Sequence, residues 1–310
     1  MPINLTPAAW TAAFETYDVV LGPDRDEPEW WAGAPSVARA PDGTTYLAAR
    51  MREGESDRGV RGYELCILAS ADGRSFEPIH SLKREDVPCK GFERPALVIE
   101  PETGAFRLYG CSQLGPGWGI FKFDDVDDPR KLDPASAVTV IHPVERPDGF
   151  IRPHSFKDPF VLFAEGCWQM FAIGGDFCER CYRFVSDDGI AWTRDPEGPF
   201  LDNGGWHNFA TRPSCVLPTG AGYLFVYEGS NVLWHDPIYN IVTGLAYSLD
   251  LTAVTDLTPD APLIATPTPG DYHTWRYSHW LRLGDRLHVY HEAARPNNTN
   301  EIRLTVLGGR

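Results

Sequence analysis

Apolar and polar positions alternate in short runs along most of the chain, and the runs end at Gly, Pro, Asp or Ser, which predicts strands separated by turns. Five stretches share one plan: "GAPSVARAPDGTTYLAAR", "ERPALVIEPETGAFRLYG", "KDPFVLFAEGCWQMFAI", "TRPSCVLPTGAGYLFVYE" and "YSHWLRLGDRLHVYHE". Each reads as a strand, a Gly-containing turn and a second strand, the pattern of a β-hairpin. A third strand follows every hairpin: "YELCILAS", "GIFKF", "CYRFVS", "VTGLAYS" and "EIRLTVL". Three of these end in Ser-x-Asp at Ser70/Asp72, Ser186/Asp188 and Ser248/Asp250, where a short polar side chain can bond its own backbone.

The second positions of the repeats, Ala34, Arg94, Asp158, Arg212 and Ser278, recur every 54 to 66 residues. Five units of three or four antiparallel strands at that spacing predict an all-β fold, a five-bladed β-propeller forming a single domain over residues 1–310. The last unit ends without a fourth strand, and "YDVVL" at Tyr17–Leu21 has nothing local to pair with. We expect this N-terminal strand to close the fifth blade and remove an exposed edge. A helical rhythm is suggested only in "PAAWTAAFETY".

Composition and charge narrow the function classes. The 43% hydrophobic content of 310 residues allows a substantial core, and a formal net charge of −15 opposes binding to nucleic acid or to anionic membrane surfaces. No run approaches the roughly 18 apolar residues of a spanning helix, and "MPINLTPAAW" lacks the pattern of a secretory signal, so the expected location is the cytoplasm. Seven cysteines, an odd number, predict reduced thiols. Cys178 and Cys181 form a lone CxxC without the second pair a zinc site needs, and we expect no metal or cofactor, although a structural cation could sit on the propeller axis beside His279.

In a propeller the first strand of each blade lies nearest the axis, so residues at its start converge on one funnel. "FKDPFV" places Asp158 there, facing water, with Pro159 at a strand start where no ladder donor is needed. The same logic collects Glu93 and Arg94, Lys157, Arg212, Ser278 and His279, while the ends of the second strands contribute Arg50, Cys111, Ile173, Glu228 and Glu292. Several carboxylates interleaved with arginines suit acid/base chemistry at a glycosidic oxygen, one acid protonated and another ionised. Asp158, Glu228 and Glu93 are the candidate catalytic residues. Arg50, Arg94, Lys157, Arg212, His154, His279 and Glu292 are candidate substrate contacts, as are Trp31, Trp206 and Trp275, whose rings could stack on a sugar. Alternatively, the charges pair with each other and pin the units together.

These residues resemble the five-bladed β-propeller glycoside hydrolases. "FKDPFV" looks like the Arg-Asp-Pro element of the fructosidases, and "YEGS" at Glu228 looks like the general-acid segment shared with the arabinanase and xylosidase families. The resemblance implies that Glu228 donates the proton and Asp158 stabilises the transition state. Those families carry an aspartate at the first-blade position, here Ala34; Glu29, five residues upstream, is the nearest carboxylate. The mannoside phosphorylases, to which the chain is also similar, dispense with that base because phosphate attacks, and the funnel arginines could hold such an anion. The leading expectation is an enzyme cleaving a glycosidic bond in a carbohydrate. The alternatives are a cytoplasmic glycoside phosphorylase and a catalytically silent propeller that binds a glycan or a protein.

Overall fold

The computed structural model describes residues 12–115, 117–143, 155–175, 178–235, 239–266, 268 and 270–308. They are almost entirely strand and turn. Strand β1 (Asp18–Leu21) precedes a first antiparallel unit, β2 (Trp31–Arg39), β3 (Thr45–Arg52), β4 (Gly62–Ser70) and β5 (Glu77–Lys83). The second is β6 (Ala96–Ile99), β7 (Phe106–Leu114), β8 (Gly117–Lys122) and β9 (Val138–Ile141). The third is β10 (Phe156–Ala164), β11 (Cys167–Gly174), β12 (Arg180–Ser186) and β13 (Thr193–Arg194). The fourth is β14 (Ala210–Thr219), β15 (Gly222–Ser230), β16 (Val242–Ser248) and β17 (Thr255–Asp256).

The last three strands, β18 (Trp275–Leu283), β19 (Arg286–Ala294) and β20 (Asn300–Gly308), are joined by β1, which pairs antiparallel with β20 through Asp18↔Leu304, Val19↔Arg303 and Leu21↔Ile302. The N-terminal strand thus covers the edge it was expected to cover. A single parallel bridge, Trp31↔Asn300, ties this unit to the first. The first strands of the units touch in turn, β2 to β6, β6 to β10, β10 to β14, β14 to β18 and β18 back to β2.

The Ser-x-Asp turns lock neighbouring units together. Asp72 Oδ1 accepts the N–H groups of Arg74 and Ser75, both at 2.8 Å, and Asp188 Oδ1 accepts those of Ile190 at 2.7 Å and Ala191 at 2.8 Å. The turn glycines take positive φ, +69° at Gly73 and +73° at Gly189, and their carbonyls accept tyrosine hydroxyls from the preceding units, Tyr290 at 2.6 Å and Tyr109 at 2.7 Å. All seven cysteines are free thiols. No helix among the described residues is long and apolar enough to cross a membrane. Of the helix suggested over residues 7–17, residues 7–11 lie outside the described residues, and Ala12 and Ala13 are helical. Phe14, within the same segment, packs edge-on against Trp275, with 5.2 Å between centroids.

Candidate active site

The site is built by bulges at the start of the inner strands. Register shifts fall between Gly33 and Ser36, Lys157 and Phe160, and Arg276 and His279, with a shorter one between Pro213 and Cys215. Within the first three, Ala34, Asp158 and Tyr277 adopt φ of +52°, +55° and +51°, a conformation costing about 1–3 kcal/mol at a non-glycine residue. Pro159 sits inside its bulge, four residues into β10, where the ladder does not call on a donor; this corrects the expectation that it begins the strand.

Register also corrects the alignment of the repeats. Gly33 lies opposite Arg50, Lys157 opposite Ile173, Arg212 opposite Glu228 and Arg276 opposite Glu292, while the Glu93 N–H donates to the Cys111 carbonyl at 3.0 Å. The counterparts of Asp158 in the fourth and fifth units are therefore Pro213 and Tyr277, not Arg212 and Ser278. Sequence reading aligned "TRP" with "KDP" through the proline; the strand pairing places that proline one position earlier.

Asp158 is 1% exposed, which corrects the expectation that it faces water: protein donors surround its carboxylate. Its Oδ1 accepts the Arg94 N–H at 3.1 Å and the Cys111 thiol at 3.5 Å, and its Oδ2 accepts the Tyr277 hydroxyl at 2.9 Å. Burial opposes its ionisation, but the charges of Lys157 and Arg212, the Arg94 amide and Arg50 outweigh it and hold the carboxyl below its ordinary value.

Glu228 is also fully buried, yet its surroundings act the other way. Oε1 accepts the Ser214 hydroxyl at 2.7 Å, and Oε2 has no hydrogen-bond partner among the described residues. Burial pushes its carboxyl up to about 7, against the attraction of Arg94, the Ser214 hydrogen bond, Arg212 and Arg276.

Glu292 holds units together. Oε2 accepts the Ala34 N–H at 2.9 Å and Arg50 at 3.3 Å; Oε1 accepts Arg276 through Nε at 3.0 Å and a second nitrogen at 2.8 Å, and Asn300 at 2.6 Å. Burial opposes ionisation here too, but Arg276 and Arg50 prevail and keep the carboxyl below its ordinary value. The first-unit position that lacks an aspartate is thus occupied by a backbone amide bound to this carboxylate.

Three less buried charged groups belong to the same cluster. Glu93 pairs with Arg50 and keeps 19% of its side chain exposed. Lys157 and Glu179, at 25% and 24%, pair at 3.0 Å, and Glu179 also binds Arg212. Burial works against the Glu179 charge, but Arg212 and Lys157 pull its carboxyl down to about 2. Sequence reading missed Glu179, Arg276, Tyr277 and Ser214. Reading across from Glu292 to its strand partner, instead of along from a proline, would have found Arg276 and Tyr277.

Arg94 is 1% exposed and spends its guanidinium on the carbonyls of Pro213 (2.8 Å) and Ser214 in the fourth unit. Burial, then Arg94, drives His279 down to about 3, and its Nδ1 accepts the Val37 N–H at 3.2 Å, so the ring proton sits on Nε2. As a donor, that nitrogen is unsuited to the axial cation considered from sequence. Among the described residues no three His, Cys, Asp or Glu side chains gather as a metal site. Glu29 is bound on the rim by Arg61 and by the Tyr272 hydroxyl at 2.6 Å. His154 lies outside the described residues.

The tryptophans expected to stack on sugar are packed instead. Trp31, 0% exposed, is covered by the Arg52 guanidinium at 3.8 Å and the edge of Tyr239 at 4.7 Å. Trp275 stacks on His291 at 4.3 Å, and Trp206 on Tyr227 at 5.7 Å with its N–H donated to the Thr258 carbonyl. A ring whose faces are covered has none to offer a ligand.

No family model and no curated protein matches the chain. Solved structures do. A glycoside hydrolase aligns with a TM-score of 0.72 at 13% identity, over 99% of this chain and 97% of that one. A β-1,2-mannobiose phosphorylase from Listeria innocua, in complex with β-1,2-mannobiose, aligns at 0.67 and 14%, over 93% and 94%. An α-L-arabinofuranosidase from Lactobacillus brevis aligns at 0.65 and 13%, over 96% and 94%. At these identities it is the fold that is shared, and the chain has the all-β, propeller-type fold of the glycoside hydrolases and mannoside phosphorylases that its repeats resemble.

Proposed function

We propose that the chain is one five-bladed propeller domain and a carbohydrate-active enzyme that cleaves a glycosidic bond by hydrolysis. The blade count is supported by the closed sequence of contacts among the five first strands. The observation that carries the function is that Glu228 and Asp158, both buried in one charge cluster, are driven toward opposite protonation states. Such a pair can supply a proton and a fixed negative charge at neutral pH.

Glu228 gives its proton to the glycosidic oxygen as the bond to the anomeric carbon breaks, and the leaving sugar departs as an alcohol. Asp158 stays ionised and stabilises the positive charge that develops on the ring. Glu93, the more exposed carboxylate, takes a proton from the attacking water. Hydrolysis is favoured over phosphorolysis because the cations are already engaged: Arg50 by Glu93 and Glu292, Arg276 by Glu292, Lys157 and Arg212 by Glu179, and Arg94 by carbonyls. Free thiols throughout support a cytoplasmic location.

The test is release of reducing sugar or sugar phosphate from a panel of oligosaccharides and aryl glycosides, with and without phosphate, alongside Asp158→Asn. We expect release without phosphate, with turnover lowered at least about 100-fold in the variant. Release only with phosphate would make the enzyme a phosphorylase. Tight sugar binding without cleavage would make it a binding module.

A further inference from the structure

Glu228 is held by a chain of hydroxyls that crosses from one unit to the next. The Trp280 indole N–H, which can only donate, lies 3.0 Å from Ser278 Oγ. Ser278 keeps its own hydrogen, and Ser214 Oγ lies 3.0 Å away to accept it. Ser214 then has one hydrogen for two acceptors, Glu228 Oε1 at 2.7 Å and the Ser278 carbonyl at 3.0 Å. Oε2 of Glu228 is buried with no hydrogen-bond partner among the described residues.

We infer that Ser214, backed by Ser278 and Trp280, is a positioning residue that ties down Oε1 of Glu228 and leaves Oε2 as the atom that carries the proton to the leaving group. This rests on Glu228 being the proton donor of the proposed reaction. In the neutral acid the Ser214 hydrogen is shared between its two acceptors. As the Oε2–H bond breaks and the O–H bond of the departing alcohol forms, the electron pair stays on the carboxylate. The Ser214 hydroxyl then commits to Oε1, where a bond to a charged acceptor is roughly twice as strong. The chain therefore stabilises the transition state more than the ground state.

The measurement that tests this needs no substrate. The carboxyl infrared band of Glu228, assigned by its absence in Glu228→Gln, is followed against pH in the whole protein. Ser214 favours the charged form, so Ser214→Ala moves the midpoint up by about one pH unit. Ser278→Ala moves it up by less, because Ser214 keeps its own hydrogen, and Ser214→Thr restores the original midpoint. In an active enzyme Ser214→Ala lowers kcat more than it raises KM, and the high-pH limb follows the infrared midpoint upward. A midpoint that is unmoved or lowered in both alanine variants overturns the inference, whatever the activity. Ser278→Ala keeps the test alive if Ser214→Ala fails to fold. A midpoint that moves as expected in a protein that cleaves nothing supports the hydroxyl chain and sinks the glycosidase reading, so the two failures are distinguishable.

Discussion

Glu228 and Glu292 occupy the same register position in successive units, each opposite an arginine and each wholly buried. Glu292 receives five donor atoms and is held ionised; Glu228 receives one hydroxyl and is held toward the neutral acid. Burial opposes charge at both, so the difference lies in how many donors reach each carboxylate. A saturated carboxylate is a structural pin, and an undersupplied one keeps a proton it can give away.

Substitutions at the two positions should separate these roles. The largest effect is on activity: Glu228→Gln, which keeps shape but cannot donate a proton as an acid, should lower turnover about 100- to 10,000-fold in the glycoside assay while the protein remains folded. Glu292→Gln should do the reverse to stability, because Arg276 and part of Arg50 lose their buried counter-charge. We expect a loss of about 3–5 kcal/mol in chemical denaturation. Comparable stability losses in the two variants would erase the distinction.

The two carboxylates should also carry opposite pH signatures. Glu228 is raised from 4.5 to about 7, so its contribution to stability is full below its ordinary value and is lost as pH rises through 7. Glu292 is lowered, so its contribution is present above its ordinary value and is lost as pH falls through the depressed one. Relative to the parent, Glu228→Gln should gain about 3 kcal/mol between pH 4 and pH 8, read from denaturation midpoints across that range. A flat difference would mean that Glu228 is ionised in the folded protein. The smallest change is Gly33→Ala: a Cβ there would stand 1.9 Å from Glu292 Oε2 and would displace the carboxylate, costing about 1–3 kcal/mol in the same assay.

Much of this site could be read from residues that interrupt a strand pattern. Asp158 and Pro159 stand out against β propensity, and the structure accounts for them by a bulge and a positive φ. Glu228 and Glu292 were visible as acids at strand ends. Tyr277 was not, because an aromatic in "WRYSHW" looks like any other core residue until its hydroxyl is seen on Asp158. Ser214 was hidden for a related reason: it follows Pro213, and the extra residue in that strand turns its side chain toward Glu228. The tryptophans misled because position before an inner strand says nothing about which face a neighbour covers.

Alternation, turn residues and the recurrence of the hairpins determined from sequence alone that the chain forms paired strands in repeated units and that Tyr17–Leu21 needed a distant partner. These are local or periodic properties, written in consecutive residues. Which acid holds a proton was decided only by the tertiary structure. A carboxylate's charge depends on desolvation and on donors within a few ångströms, and those of Glu292 include Ala34 and Arg50, more than 240 residues away along the chain.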